Sequence, residues 1–201
     1  MKLPKPIADW RHVFLDTSIV IDYTSSPSKI TKNAPHRERV EFVHQIMEII
    51  LFPTDKKKLT LYLSAISIGE LRKVQPDGNI FKQIVTLFNA SDVVVVDYTK
   101  DVAVTLNKSL ERYLPENNRF HFEKNLEKML NSEHFQNARQ WIADDMKICA
   151  CAKSLTNLDV VLTTDKKTFV PIAEKMGLPC VPVYPEYFPK NLFGDIDELE
   201  K

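Results

Sequence analysis

Short runs of apolar, often β-branched residues alternate along this chain with longer segments whose apolar positions recur every three or four residues. That alternation predicts parallel strands joined by crossover helices, an α/β fold with a sheet of about five strands. Residues 12–16, 59–63, 93–96, 160–163 and 180–183 read as the strands, and the unbroken valines of 93–96 predict burial on both faces. Helices are expected at 17–22, 37–51, 65–74, 79–88, 101–113, around 123–130, and at 137–153 and 168–176. Hydrophobic periodicity vanishes in 24–35 and 115–118, which read as loops. From Pro185 the chain becomes a tail, first aromatic and Pro-containing, then acidic at Asp195, Asp197, Glu198 and Glu200.

With 201 residues, 44% hydrophobic, 27% charged and only 4 Gly, the chain has the make-up of one folded domain and not of a disordered or low-complexity segment. Its 27 basic residues cancel 27 acidic ones, so a polyanionic partner must be drawn to a local basic patch and not to the whole molecule. Cys149, Cys151 and Cys180 are odd in number and lack Cys-x-x-Cys spacing, which predicts buried free thiols in a reducing compartment. No run reaches the ~18 apolar residues of a membrane span, and the N-terminus has no apolar targeting segment. A cytoplasmic protein without a membrane partner is expected.

Acids in unusual places carry the candidate chemistry. Asp16 follows Phe14-Leu15, and Asp165 follows Leu162-Thr163-Thr164, so each carboxylate is delivered where a buried strand ends. Ligands of open α/β sheets bind beyond those carboxyl ends. Either acid could also simply cap the helix that follows it. Glu70 lies in Ser64-Ala65-Ile66-Ser67-Ile68-Gly69-Glu70-Leu71, an otherwise small and apolar helix start. With Ser64 as cap, Ser67 and Glu70 share a face one turn apart near the same strand ends. The plainer alternative pairs Glu70 with Lys73 or Lys58 on the surface. In the helix at 137–153, Asp145 falls inside an apolar stripe of Ala138, Trp141, Ile142, Ile148, Cys149 and Ala152, whereas Asp144 sits with Asn137, Gln140 and Lys147 on a side expected to be solvated. A carboxylate in an apolar stripe requires a partner or a cation, which singles out Asp145.

Four segments then form an ordered set: Val13-Phe14-Leu15-Asp16-Thr17-Ser18 with Ile21, Ser64-x-x-Ser67-x-x-Glu70-Leu71, Asp145-x-x-Ile148-x-Ala150-x-Ala152, and Leu162-Thr163-x-Asp165 with Phe169. Over residues 13–184 this set resembles the PIN-domain family of metal-dependent nucleases, in particular the group that includes the VapC-type endoribonuclease toxins. The resemblance implies a three-layer α/β/α sandwich around a central parallel sheet, one domain over 1–184 with an inserted helical segment around 108–137, and a tail at 185–201. It implies an acidic pocket in which Asp16, Glu70, Asp145 and Asp165 are both the catalytic residues and the ligands of one or two Mg²⁺ ions, with Mn²⁺ as substitute. Thr17, Ser18, Ser67 and Thr163 are implied polar neighbours, and Asp144 a supporting one. Clustered carboxylates repel one another unless a hard cation neutralises them. The implied activity is hydrolysis of phosphodiester bonds in single-stranded RNA by a cation-activated water, leaving 5′-phosphate and 3′-hydroxyl ends. RNA, an antitoxin or other protein partner, and a second copy of the chain are the partners this leaves open. The chain is longer than the compact toxins, with the excess in 24–36, 108–137 and the tail, additions suited to a different substrate groove.

Phosphate contacts are expected from Arg72, Lys166 and Lys167, which flank the acids; Lys56, Lys57 and Lys58 precede their strand and belong at its opposite end. Two rival readings remain. A haloacid-dehalogenase-like phosphatase also places an Asp after its first strand but requires a second Asp two residues on, where this chain has Ser18. A PIN-like scaffold that binds RNA or protein without cutting would retain the same fold.

Overall fold

A computed structural model of the chain describes residues 3–30, 33–52, 58–74, 92–113, 116–132 and 137–189. Five strands, β1 (His12–Leu15), β2 (Thr60–Ser64), β3 (Asp92–Val96), β4 (Val160–Thr163) and β5 (Cys180–Pro182), form one all-parallel sheet in the order β3-β2-β1-β4-β5. Leu15 of β1 lies level with Leu63 of β2 and Leu162 of β4, so the three strands end together. The described helices are α1 (Thr17–Thr24), α2 (Ala34–Leu51), α3 (Ala65–Val74), α4 (Lys100–Tyr113), α5 (Glu116–Ser132), α6 (Ala138–Lys153) and α7 (Phe169–Lys175).

The period-two alternation of the strands divides the interior into two cores. Val13 and Leu15, Leu61 and Leu63, and Val160 and Leu162 face one side, where they pack with Ile19 and Val20 of α1, Val43, Ile46 and Met47 of α2 and Leu71 of α3. Phe14, Val161 and Cys180 face the other, against Ile148, Cys149 and Ala152 of α6 and Phe169 and Ile172 of α7, with Val102 of α4 and Leu130 of α5 in the same cluster. The chain moves along the sheet in one direction from β1 to β3 and in the other from β4 to β5, and right-handed crossovers put those connections on opposite faces. The architecture is a three-layer α/β/α sandwich. Its three cysteines are free and buried, and burial pushes their thiols up, which keeps them neutral.

Several expectations are corrected. β3 hydrogen-bonds only to β2 among the described residues, and Val94 and Val95 are each 43% exposed, so the valine run expresses strand preference at a sheet edge and not burial on both faces. Trp141, placed in the apolar stripe of α6, is 48% exposed, although Ile142 beside it and Ala138 three residues before it are buried. Glu116 opens α5 where a loop is expected, and α2 begins three residues early because Asn33 accepts the His36 N–H and Pro35 occupies the first turn. The helix expected at 79–88 and the acidic tail lie outside the described residues. Among the described residues no helix is long and apolar enough to cross a membrane.

Candidate functional site

β1 and β4 are neighbours from which the chain departs in opposite directions, which makes their carboxyl ends the topological switch point where open α/β sheets leave a crevice. Asp16 sits there, immediately after β1. Its backbone N–H still donates to Leu162 O at 2.9 Å, and its carboxylate caps α1 by accepting from the Thr17 N–H at 2.7 Å and the Ser18 N–H at 3.4 Å. Two hydroxyls also donate to its Oδ2, Ser18 at 2.6 Å and Thr163 at 2.7 Å. Burial nevertheless pushes the carboxyl up to about 6; the hydroxyls oppose that shift, and the charges of Asp165 and Glu70 add to it.

Asp165 stands one residue beyond the end of β4. Its Oδ1 accepts the N–H groups of Lys167 at 2.7 Å and Thr168 at 3.0 Å, and its Oδ2 takes the Thr168 hydroxyl. Glu70 reaches the crevice from α3, the helix that Ser64 starts by accepting the Ile66 N–H at 3.1 Å; Thr17 Oγ1 donates to Glu70 Oε2 at 2.5 Å. Asp145 comes from the middle of α6 and is half-buried. Its carboxyl is held well above the ordinary range by burial first, then by the charges of Asp16 and Asp165, with the Thr168 hydroxyl opposing and Glu70 adding. Four acids from four separate elements therefore share one electrostatic neighbourhood.

Other expected residues fall differently. Thr17, Ser18 and Thr163 hold the acids as described. Ser67 is fully buried one turn before Glu70, and among the described residues its hydroxyl has no hydrogen-bond partner. Asp144 is not solvated: it is 7% exposed, with Gln140 Nε2 at 2.8 Å and Lys147 Nζ at 2.9 Å. The two neighbours it was expected to keep are what allow its burial. Lys166 lies 3.5 Å from the centre of the Tyr184 ring and pairs with Glu186; Lys167 is exposed. The Arg72 side chain and Lys56 and Lys57 lie outside the described parts. Thr168 and Asp22 were not anticipated. The spacing Asp165-x-x-Thr168, a common helix-start pattern, would have revealed the first; only the pairing of α1 with α2 reveals the second.

The donor set suits a hard divalent cation: carboxylate and hydroxyl oxygens, crowded like charges and an orphaned buried hydroxyl. Among the described residues no three His, Cys, Asp or Glu side chains already stand in a chelating group. Asp16 and Asp165 are instead held by the hydroxyls of Ser18, Thr163 and Thr168. No family model matches the sequence, and no curated protein matches it either.

Proposed function

We propose that this chain is a divalent-cation-dependent endonuclease, PIN-like in its site, that hydrolyses phosphodiester bonds in single-stranded RNA. The observation that carries this reading is the convergence of Asp16, Glu70, Asp145 and Asp165 at the switch point, where burial first and then the charges of Asp165 and Glu70 raise Asp16, and burial first and then the charges of Asp16, Asp165 and Glu70 raise Asp145 above the ordinary carboxylate range. These four would hold Mg²⁺ or Mn²⁺. Such a cation, when bound, lowers the pKa of a water nucleophile and offsets charge on the phosphate and the leaving oxygen. Thr17 orients Glu70, Ser18 and Thr163 orient Asp16, and Thr168 orients Asp165, each through a hydroxyl that donates to the carboxylate. Lys167, exposed one residue beyond Lys166, supplies a positive charge beside the crevice for the RNA backbone.

Ser18 speaks against the phosphatase alternative. It occupies the place of that family's second acid, and its hydroxyl serves as a fixed link, donating to Asp16 and accepting the Thr164 N–H at 2.9 Å. Labelled single-stranded RNA and DNA incubated with Mg²⁺, Mn²⁺ or EDTA, beside Asp16→Asn, test the reading. Cleavage of RNA that needs the cation and is lost in Asp16→Asn is the expected result. Release of phosphate from monoesters with RNA left intact would favour the phosphatase, and RNA binding without cleavage under either cation would favour the scaffold.

A further inference from the structure

Asp22, a fifth acid near the end of α1, lies outside the crevice and is treated in the opposite way. It is 2% exposed and fully engaged: Arg39 of α2 donates through Nε to Oδ2 at 2.8 Å and through its Nη2 to Oδ1 at 3.0 Å. Thr164 Oγ1 donates to Oδ2 at 2.9 Å, and His36 Nε2 lies 3.6 Å from Oδ1. Taking such a pair out of water is costly, and an apolar contact would join α1 to α2 at least as well. What the carboxylate supplies and an apolar side chain cannot is a directional acceptor for Thr164.

Thr164 is the one residue between Thr163, whose hydroxyl holds Asp16, and Asp165. All three of its polar groups are fixed. Its N–H donates to Ser18 Oγ at 2.9 Å, its hydroxyl donates to Asp22, and its carbonyl accepts from the Tyr184 hydroxyl at 2.8 Å. Ser18 Oγ in turn donates to Asp16 Oδ2 at 2.6 Å. Asp22 is thus linked to Asp16 through Thr164 and Ser18, and to Asp165 through a single peptide bond. We infer that Asp22, clamped by Arg39, is a positioning residue that fixes Thr164 and thereby the placement of Asp16 and Asp165 relative to each other at the switch point. This rests on the cation-dependent nuclease reading, under which the placement of those two acids sets cation affinity and turnover.

Thr164→Val tests it with little disturbance, because valine keeps the shape and β-branching, and the Asp22–Arg39 pair stays intact. The concentration of Mn²⁺ that gives half of the maximal rise in melting temperature should increase about tenfold, as for loss of an outer hydrogen bond to a metal site. Turnover on single-stranded RNA should fall by a similar factor while KM changes less than about twofold, because substrate grip lies elsewhere. Thr164→Ser, which restores the hydroxyl, should return both quantities to wild type. If Thr164→Val does not fold, Arg39→Lys carries the same test, since it keeps the charge but loses the two-pronged geometry that holds Asp22. A wild type that responds to Mn²⁺ beside a folded variant that responds identically overturns the positioning role alone. A wild type with neither a thermal response to the cation nor RNA cleavage overturns the nuclease reading and the positioning role with it.

Discussion

At the amino end of the sheet Asp159 accepts the N–H of Arg11 at 2.6 Å and of His12 at 2.9 Å, and pairs with Lys5 at 2.5 Å. Burial pushes its carboxyl up, but the bonds from Lys5 and from those two N–H groups outweigh it and hold the group below the ordinary range. At the carboxyl end Asp16 also accepts two backbone N–H groups, adds two hydroxyls, and is still pushed up to about 6. The difference lies in burial and in the company kept. Asp159 has an ammonium group beside it, and Asp16 has Asp165, Glu70 and Asp145. A fold that needed only a cap after β1 had the Asp159 solution at hand, so a buried acid raised by its acidic neighbours at the other end reads as a site.

The widest separation between structural and functional acids is expected within α6, between adjacent residues. Asp145→Asn should keep the fold and lose cleavage by roughly 100-fold or more, the scale for removing a group that acts in the reaction. Asp144→Asn should lose less than about tenfold and cost about 1 kcal/mol of stability, because Asp144 is bound to Gln140 and Lys147. Turnover under saturating Mn²⁺ compares the two. An inactive Asp144→Asn beside an active Asp145→Asn would transfer the functional role to the wrong face of the helix.

That pair also marks how far the sequence could be read. β4 is found at 160–163 as expected, and the other strands agree to within one residue at every end, because β-branched runs between turn signals leave little choice of period. Asp16 and Asp165 were legible because each closes such a run. Helical phase made Asp145 the buried acid of its pair, yet Asp144 is the more buried of the two and Trp141, counted in the same stripe as Asp145, is exposed; what brings Asp145 to Asp16 and Asp165 is the placement of α6 across the sheet. Phase alone cannot tell the edge of a buried face from its centre. The burial of Asp144 and the Asp22–Arg39 pair depend on side chains meeting in three dimensions, 3 or 4 residues apart in one case and 17 in the other, and polar residues at such spacings look solvated in sequence.

Opposite responses to pH should sharpen the comparison of the two sheet ends in cation-free protein. Asp16 has a folded-state value raised to about 6 from 3.8, so the folded state holds its proton more tightly between those values. The associated penalty is absent below the lower value and complete above the upper one, up to about 3 kcal/mol. Relative to wild type, Asp16→Asn should therefore gain stability as pH rises through that window. Asp159 is depressed, so its contribution is complete above the ordinary carboxylate value and is lost as pH falls; Asp159→Asn should be the less stable protein at neutral pH and approach wild type in acid. Denaturation midpoints across pH measure both, and differences of the same sign for the two variants would remove the contrast.

Cation binding should act at one end only. At a hundred times its dissociation constant, Mn²⁺ should raise the melting temperature of the wild type by roughly 5–10 °C, since a ligand of the folded state alone adds about 2.7 kcal/mol. Asp159→Asn should show the same rise and Asp16→Asn a smaller one. Equal rises in Asp16→Asn and the wild type would separate cation binding from the switch point.

The smallest effect expected concerns the two lysines that follow Asp165, which composition treats as equivalent. Lys166 lies over Tyr184 at 3.5 Å, with the Tyr187 ring centre at 5.0 Å, and pairs with Glu186, whose carboxyl the Lys166 bond holds below its usual range. For Lys166 to reach a phosphate it must leave both a carboxylate and an aromatic face, so much of the gain on binding RNA is offset. Lys167 is exposed, and its backbone N–H is anchored on Asp165, which fixes the base of the side chain beside the crevice. Lys167→Ala should therefore weaken RNA binding and lower the log–log salt slope by about 0.7, the value for one phosphate contact on a single strand. Lys166→Ala should leave the slope nearly unchanged and lower the melting temperature slightly through the lost contact with Tyr184. Binding of an uncleavable single-stranded RNA measured from low to moderate salt distinguishes them: a slope that falls in Lys166→Ala and holds in Lys167→Ala would mean that Lys166 swings out of its aromatic seat to hold substrate.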